Sequence, residues 1–421
     1  MYVKRRSHTP IWQWALMALL LLGSIPTNVR AGQPPTETPP PAAQDQDSKA
    51  SLEIYGFAMI DIGQNFNQID PSWFDTMRIT KLPSSANQFG EDNSTFAGVR
   101  QSRLGFRTTT PTAMGELKTK FEIDMFGTGV DSGQTTIRLR HAWGELGAFG
   151  AGQTDSPFTD PDVWPNSLEY WGPTGMVFFR NVQVRWTPMR GEKTLMFALE
   201  RPGASGDAGV YADRVELQNI KPRFTMPDIT GAFKYNQKWG YVRVGGALRR
   251  IAWDDLLADK FQLGDHVLGW GLNFSSNVHV TPNDVLRLQY AYGRGVENYM
   301  QDSPVDVGLQ NNLSNPVTPV VGKPLPVTGI VAFLDHTWNA RFSTAIGYSS
   351  QDIGNTDAQA PDAFGAGKYA LGNLLYTPVP NVMVGGELQW GRRDNFSDGF
   401  HSDDLKLQFS FKYSFAAKIG G

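Results

Sequence analysis

The sequence predicts an all-β protein, a 16-stranded antiparallel transmembrane β-barrel. Three observations predict this fold. Apolar and polar residues alternate with period two along most of the chain after residue 51, short connections alternate with long ones, and the N-terminus has the layout of an export signal. Charged residues make up only 19% of the 421 residues, which favours β-structure over a helical enzyme or a disordered chain.

Residues 1–31 have the layout of a cleaved signal peptide. Lys4, Arg5 and Arg6 precede an apolar run that is too short to span a bilayer comfortably, and small residues follow around Ala31. An N-terminal membrane anchor is the alternative interpretation. With a barrel downstream, this signal predicts a protein of the cell outer membrane of a Gram-negative bacterium.

Residues 32–50 are rich in proline and contain no large apolar side chain. Such a segment cannot bury a core, and proline favours extended conformations, so we interpret it as a periplasmic linker. The barrel is predicted to occupy residues 51–415, and residues 416–421 are predicted to be a C-terminal tail.

The strand pattern is clearest in residues 404–415, where every odd position is apolar and the positions between are mostly polar. Aromatic residues gather at segment ends, as at membrane interfaces, and this favours a membrane barrel over a soluble β-sandwich. Seven short turns and eight long, mostly acidic loops connect the segments. The predicted strands are 51–66, 95–109, 115–127, 134–146, 148–154, 176–187, 193–201, 223–235, 239–253, 265–277, 283–295, 328–336, 340–350, 366–377, 382–392 and 404–415.

The composition also excludes several function classes. The absence of cysteine excludes disulfides, thiolate zinc sites and thiol catalysis. The net charge of −3 argues against a nucleic-acid partner. Only six histidines are present, and the acidic residues of the loops show no spacing that defines a metal site, so we expect neither a metal nor another cofactor.

Several stretches resemble trimeric bacterial porins. Residues 102–107 (SRLGFR) resemble the second-strand motif of general porins, 138–158 resemble the segment that leads into their third loop, and 180–188 resemble the next strand. Residues 227–251 are similar to the DcaP-like family of outer-membrane porins. This resemblance implies a homotrimer with an inward-folded third loop, through which small hydrophilic solutes diffuse passively, with a preference for organic anions such as dicarboxylates.

The candidate selectivity residues are arginines at the polar, lumen-facing positions of the alternating strands. Guanidinium groups bind carboxylates and phosphates, so they would favour anions in a pore. The alternative is that each arginine pairs with a lumen carboxylate such as Glu122 or Asp124 and only stiffens the wall. The predicted basic wall consists of Arg103, Arg107, Arg138, Arg140, Arg185, Arg243, Arg249 and Arg287.

The porin resemblance implies that residues 155–175 fold into the barrel and constrict it. The acidic residues of this segment would then face the arginines across the lumen. An ordinary external loop is the alternative. The predicted constriction residues are Asp155, Asp160, Asp162, Trp164, Glu169, Tyr170 and Trp171.

Assembly and partners follow from the same resemblance. Tyr413 and Phe415 resemble the C-terminal signal that the outer-membrane insertion machinery reads. We expect contacts with membrane lipid and lipopolysaccharide, and trimerisation through apolar outer walls. Members of the DcaP-like group can carry N-terminal heptads, but residues 33–50 contain none, so a coiled coil is not expected here.

Other function classes stay open at this stage. A non-selective, phosphate or sugar porin of a neighbouring family is one alternative, and a structural or adhesive barrel is another. An enzyme would need an activated nucleophile, and His401 with Asp403 and Asp404 is the best candidate group. His141 falls on the lipid-facing parity. We expect that the protein is not an enzyme.

Overall fold

The computed structural model describes residues 50–420, so the predicted signal peptide and nearly all of the predicted linker lie outside the described residues. Within this range the chain forms a closed, antiparallel β-barrel of 16 strands, which confirms the predicted fold class. None of the helices in residues 50–420 is long and apolar enough to span a membrane.

Most strands agree with the predicted ones to within a few residues. The strands are β1 (Ser51–Asn65), β2 (Ser94–Gly98), β3 (Arg103–Thr112), β4 (Gly115–Phe126), β5 (Thr135–Leu146), β6 (Phe149–Asp155), β7 (Arg180–Met189), β8 (Lys193–Glu200), β9 (Gly206–Asp207), β10 (Ile220–Arg223), β11 (Asp228–Gln237), β12 (Gly240–Asp255), β13 (Asp265–Thr281), β14 (Asp284–Arg294), β15 (Val307–Asn311), β16 (Val320–Pro324), β17 (Pro326–Thr337), β18 (Phe342–Ile353), β19 (Phe364–Val379), β20 (Val382–Asn395) and β21 (His401–Ile419).

The five short strands β2, β9, β10, β15 and β16 belong to the long connections, and the other strands form the barrel wall. Strands β9, β15 and β16 form a separate small sheet. Single-turn 3-10 helices also lie between the barrel strands, at Pro71–Trp73, Ile79–Lys81, Gly129–Asp131, Pro161–Val163, Gly209–Tyr211, Val215–Leu217 and Glu297–Tyr299.

Two of the differences from the predicted strands affect how the barrel is built. The predicted strand 95–109 is two elements, because a turn at 99–102 separates β2 from β3. Strand β21 does not end at Phe415 but continues to Ile419, and its last four residues pair with Leu52–Tyr55 of β1. The predicted tail is therefore part of the seam that closes the barrel, because β1 extends far enough to pair with it.

The side chains of the wall are arranged with the polar face inside. On β21, Lys406, Gln408 and Ser410 are 0% exposed, whereas Phe409 is 49% exposed on the outer face. A soluble sandwich would bury the apolar face instead. The outward apolar face and the closed sheet are the arrangement of a membrane barrel.

A β-bulge in β5 changes the predicted direction of one side chain. Glu122 of β4 lies opposite His141, and the next residue, Ile123, lies opposite Leu139, so Arg140 is the extra residue. Both Arg140 and His141 are buried and line the lumen. The prediction that His141 faces lipid is wrong, because the bulge shifts the parity by one residue.

Residues 156–179, here called the inward loop, connect β6 to β7 and fold into the barrel, as predicted. The loop crosses the lumen and is hydrogen-bonded to distant strands. Asn273 of β13 donates to the Phe158 carbonyl (2.9 Å), the Gly175 amide donates to Ser349 of β18 (2.9 Å), and the Leu168 amide donates to Glu387 of β20 (2.7 Å).

The apolar core of the molecule lies between this loop and the inner wall. Phe158, Val163 and Met176 of the loop are at most 1% exposed, and they belong to one cluster with Val331 and Phe333 of β17. Burial of this apolar surface favours docking of the loop by roughly 25 cal/mol per Å². The loop is therefore a packed part of the barrel interior.

An ion pair holds the centre of the inward loop against the wall. The Lys406 ammonium of β21 lies 2.8 Å from a Glu169 carboxylate oxygen, and both side chains are 0% exposed. The other Glu169 oxygen accepts from the backbone amides of Met77 and Trp171. Every hydrogen bond in this group is charge-assisted and shielded from water, so removal of either partner leaves a buried charge.

We predict that Lys406→Met releases the inward loop from the wall. An unpaired, buried Glu169 costs about 3–5 kcal/mol, and the β-ladders that close the barrel are unaffected by the loss. Limited proteolysis of the folded, detergent-solubilised protein should show new cleavage within 156–179. Lys418→Met, an exposed lysine of the same strand, is the matched control. Equal protection of the loop in both variants would contradict the anchoring role.

We also predict that Phe415→Asp impairs assembly of the barrel. Phe415 is 46% exposed on the apolar parity of β21, so a carboxylate there faces the lipid side. Ser414→Asp is the matched control, because side chains alternate between the two faces of a strand and Ser414 therefore lies on the opposite, polar face of β21. The heat-modifiable, folded fraction should fall in Phe415→Asp and persist in Ser414→Asp. Equal folded fractions would show that this strand end carries no assembly signal.

Candidate functional site

A cavity of about 1080 Å³ lies in the lumen between the inward loop and the wall of the first strands. Eight cationic side chains line it, against four carboxylates. Among the lining residues the cations therefore outnumber the carboxylates by four, and Asp124, Asp302 and Glu53 pair with Arg138, Arg78 and Arg107 from just outside the lining. The cations are Arg78, Arg103, Arg107, Lys120, Arg138, Arg140, Arg180 and Lys412, and the carboxylates are Glu122, Asp155, Glu169 and Glu297.

The register of neighbouring strands places the basic side chains side by side. Arg103 of β3 lies opposite Asp124 of β4, and Asp124 lies opposite Arg138 of β5. Farther along the same strands, Arg107 lies directly opposite Lys120. Side chains opposite each other in antiparallel strands are about 5 Å apart, so two like charges face each other here.

Arg138 and Arg140 form tight ion pairs with the carboxylates of β4. Arg140 contacts Glu122 at 2.7 Å and Asp124 at 2.9 Å, and Arg138 contacts Asp124 at 2.7 Å. Tyr170 of the inward loop completes this group, because its hydroxyl lies within hydrogen-bonding distance of Asp124 and both arginines. These arginines therefore both line the cavity and stiffen the wall.

Other cations of the cavity are paired more loosely. Arg103 and Lys120 lie 3.7 and 3.6 Å from Glu122, whose charge Arg140 already holds more closely. Lys412 has no carboxylate within 4.0 Å among residues 50–420, and its ammonium lies 4.3 Å from the centre of the Phe57 ring. These groups supply positive charge that the wall does not neutralise.

Four of the predicted arginines do not line this cavity. Arg249 is only 1% exposed and lies between Asp228 (2.9 Å) and Asp306 (2.8 Å). The other three hold neighbouring structure: Arg185 donates to Gln183 (3.0 Å), Arg243 to the Pro157 carbonyl (2.5 Å) and Arg287 to Asp335 (2.6 Å). These local partners make the four arginines structural.

Sequence reasoning missed Arg78, Lys120, Arg180 and Lys412. Lys120 and Lys412 lie on the same polar parity as the predicted arginines, so including lysines would have found them. Arg78 lies in the loop after β1, where no strand parity applies. It packs between Trp73 (4.2 Å) and Trp171 (4.5 Å), and Asp302 holds its guanidinium at 2.9 Å.

The expectation that the acids of residues 155–175 face the arginines across the lumen is wrong for three of four residues. Asp160 accepts from Tyr241 of β12 (2.8 Å), Asp162 pairs with Lys234 of β11 (2.6 Å), and Glu169 pairs with Lys406. Asp155, at the end of β6, lies near Arg180 (3.3 Å). The loop presents mainly aromatic side chains to the cavity, including Trp164, Tyr170 and Trp171.

The candidate His401 group is not assembled. Asp404 is 0% exposed and accepts from the backbone amide of Asn67 (2.9 Å), and no carboxylate within residues 50–420 lies within 4.0 Å of His401. In the same part of the chain, no group of three or more His, Asp or Glu side chains is placed to hold a metal ion.

Comparisons with known proteins find the same kind of barrel. The family model described as DcaP outer membrane protein matches residues 35–405. The solved structure of the outer membrane channel DcaP of Acinetobacter baumannii is 21% identical, with a TM-score of 0.73, and the match covers 88% of this chain and 99% of that one. No curated protein matches significantly.

Two further structures share the barrel fold at low identity. An anion-selective porin from Comamonas acidovorans is 11% identical, with 87% of this chain and 100% of that one covered and a TM-score of 0.56. OmpT of Vibrio cholerae in a trimer form is 11% identical, with coverages of 87% and 99% and a TM-score of 0.50. The family and these neighbours are channels and porins, which indicates a Gram-negative outer-membrane location. The chain belongs to the DcaP outer membrane protein family.

Proposed function

We propose that this protein is a porin that allows passive diffusion of small hydrophilic solutes and favours small organic anions such as dicarboxylates. The observation that carries the proposal is the lining of the lumen cavity, where eight cations outnumber four carboxylates. Guanidinium and ammonium groups in a pore attract anions and raise the barrier for cations. No observation favours an enzymatic function, and we propose that the barrel has none.

The size of the effect can be estimated from Coulomb's law. In a water-filled cavity, one unit charge about 6 Å from a passing ion contributes roughly 0.7 kcal/mol, or about threefold in local concentration. The loosely paired groups Arg103, Lys120 and Lys412 are the main candidates for this role. Arg138 and Arg140 are less suitable for a test, because their loss would leave Asp124 buried without a cationic partner and would remove the closest cation of Glu122.

We predict that replacing Arg103, Lys120 and Lys412 together by Gln lowers the anion-to-cation permeability ratio about threefold or more. The measurement is the reversal potential of reconstituted channels under a salt gradient, and the change should be largest at low ionic strength because salt screens the pore charges. Uptake of succinate should fall more than uptake of a neutral sugar of similar size.

The matched control is the triple variant Lys221→Gln, Lys260→Gln and Lys323→Gln. It removes the same formal charge from exposed positions of the long loops outside the cavity. Its reversal potential should stay near that of the unmodified protein. If the two triple variants behave alike, or if the cavity variant loses succinate and sugar uptake equally, the cavity charges do not select anions.

The assembly that we propose is a homotrimer, exported by a cleaved signal peptide and inserted by the outer-membrane insertion machinery. The trimer form of OmpT supports this proposal. The apolar outer wall offers a contact surface: Phe106 and Phe121 stack at 5.2 Å and are 41% and 37% exposed on the outer face of β3 and β4. Membrane lipid and lipopolysaccharide would surround the rest of the wall.

We predict that deletion of residues 33–50 leaves a detergent-resistant trimer. These residues precede the barrel, and their proline-rich sequence lacks the heptads of a coiled coil. Semi-native electrophoresis and light scattering measure the state. A monomer after this deletion would show that the proline-rich segment drives oligomerisation.

A further inference from the structure

The two ends of the barrel wall differ in their connections. Leu52 and Ile419 pair at the end where short turns join the strands, and the long connections lie at the other end. In outer-membrane barrels the long loops face the exterior, so this second end, here called the external end, lies at the outer leaflet. In a Gram-negative outer membrane that leaflet consists of lipopolysaccharide, and its lipid A anchor carries two phosphate groups.

The outer face of two wall strands changes from apolar to basic at the external end. Leu248 is exposed on the outer face of β12, and Arg250 is the next residue on that face. On β14, Tyr290 and Tyr292 lie on the outer face and are followed there by the exposed Arg294. Because side chains alternate along a strand, both arginines are the first outward residues beyond the apolar face of their strands.

The strand register places these two arginines on either side of β13. Arg250 lies opposite Leu268, and Arg294 lies opposite Trp270, two residues along the same strand. Strand spacing and rise put the two arginine Cα atoms about 12 Å apart, so both long side chains can reach one lipid headgroup. Trp270 packs edge-on against Tyr292 (5.7 Å between ring centres), as aromatic residues do at a membrane interface.

Strand β10 adds two more cations to the same face. It pairs with the external end of β12, where Arg223 lies opposite Ala252 and Lys221 lies opposite Asp254. Residues directly opposite each other point to the same side of a sheet, so both cations point outward with Arg250. Both are exposed to solvent. The external basic patch is defined here as Lys221, Arg223, Arg250 and Arg294.

Most of this charge has no partner in the protein. Asp254 contacts Arg223 at 2.9 Å. The other three cations of the patch have no carboxylate within 4.0 Å among residues 50–420. The Arg250 guanidinium donates only to the Thr225 hydroxyl (2.6 Å). The patch therefore carries positive charge that the protein does not neutralise.

The same level of the wall is neutralised on another side of the barrel. Lys368 of β19 lies directly opposite Arg392 of β20, and both follow the apolar residues of their outer faces. Asp394 contacts Lys368 at 3.3 Å and Arg392 at 2.8 Å. Unpaired positive charge is thus a property of the β10–β14 side and not of every strand end.

We propose that the external basic patch binds the phosphate groups of lipid A, while the acyl chains lie on the apolar face below it. Guanidinium groups bind phosphate with two parallel hydrogen bonds, and clusters of Lys and Arg at a membrane surface recognise anionic lipid headgroups. The exposed Leu248 and Leu268 continue the outer face beneath the arginines. The site lies outside the pore and is independent of the proposed anion preference.

The test measures binding of diphosphoryl lipid A to the full-length channel, purified in detergent and freed of lipopolysaccharide. Quantitative native mass spectrometry gives the Kd, and EDTA is present so that divalent ions cannot bridge acids to phosphate. We expect the Kd to rise about tenfold in the double variant Arg250→Gln, Arg294→Gln, the equivalent of one lost charge-assisted hydrogen bond. Lipid A without its phosphates should bind more weakly and equally to both proteins.

The matched control is the double variant Lys368→Gln, Arg392→Gln, which removes the same charge at the same level of the wall and should leave the Kd unchanged. Heat modifiability reports folding of each variant. An unchanged Kd in the patch variant, or an equal rise in both variants, overturns the site. Displacement of lipid A by inorganic phosphate, or an equal loss of phosphatidylglycerol binding, would show a general anion patch and also overturns it.

Discussion

A closed sheet with an apolar outer face is the constraint on which the rest of this structure depends. Each barrel strand is paired on both sides, including β21 with β1, so no unpaired edge faces lipid. Since the outer face must be apolar, the charged side chains of the wall are directed into the lumen. There each charge needs a partner or water, because an isolated buried charge is costly.

The inward loop uses all three of its carboxylates to satisfy that requirement at other strands of the wall. Asp160, Asp162 and Glu169 bind β12, β11 and β21, and Glu387 of β20 in turn accepts from the backbone amides of Leu168 and Glu169. Acids that dock the loop cannot also neutralise the arginines of β3 to β5. The positive excess of the cavity is thus a consequence of how the loop is held.

The cations of the cavity divide into two groups with different physical roles. Arg138 and Arg140 clamp Asp124 and Glu122 beneath Tyr170, and this group connects the wall to the loop. Arg103, Lys120 and Lys412 are held less closely and face the cavity. The first group defines the shape of the passage, and the second leaves net charge within it.

The sequence by itself determined the barrel, most strand positions and which side of the wall most residues face. Strands such as β4 and β5 were predicted almost to the residue, because period-two alternation is a local property of an extended backbone. Arg103, Arg107, Arg138 and Arg140 were found in this way.

Only the tertiary structure decided which partners each side chain has and where loop residues lie. Parity placed Arg249 inside the barrel, but Asp228 and Asp306, which are distant in sequence, bury it. A bulge turned His141 inward, and the pairing partner in β1 extended β21 to Ile419. Arg78 and Glu297 line the cavity from long loops, in which apolar and polar residues do not alternate regularly. Alternation indicates only whether a side chain points into the lumen or toward lipid. Its position along the barrel axis and its partners depend on strand register and on the loops that pack across the lumen.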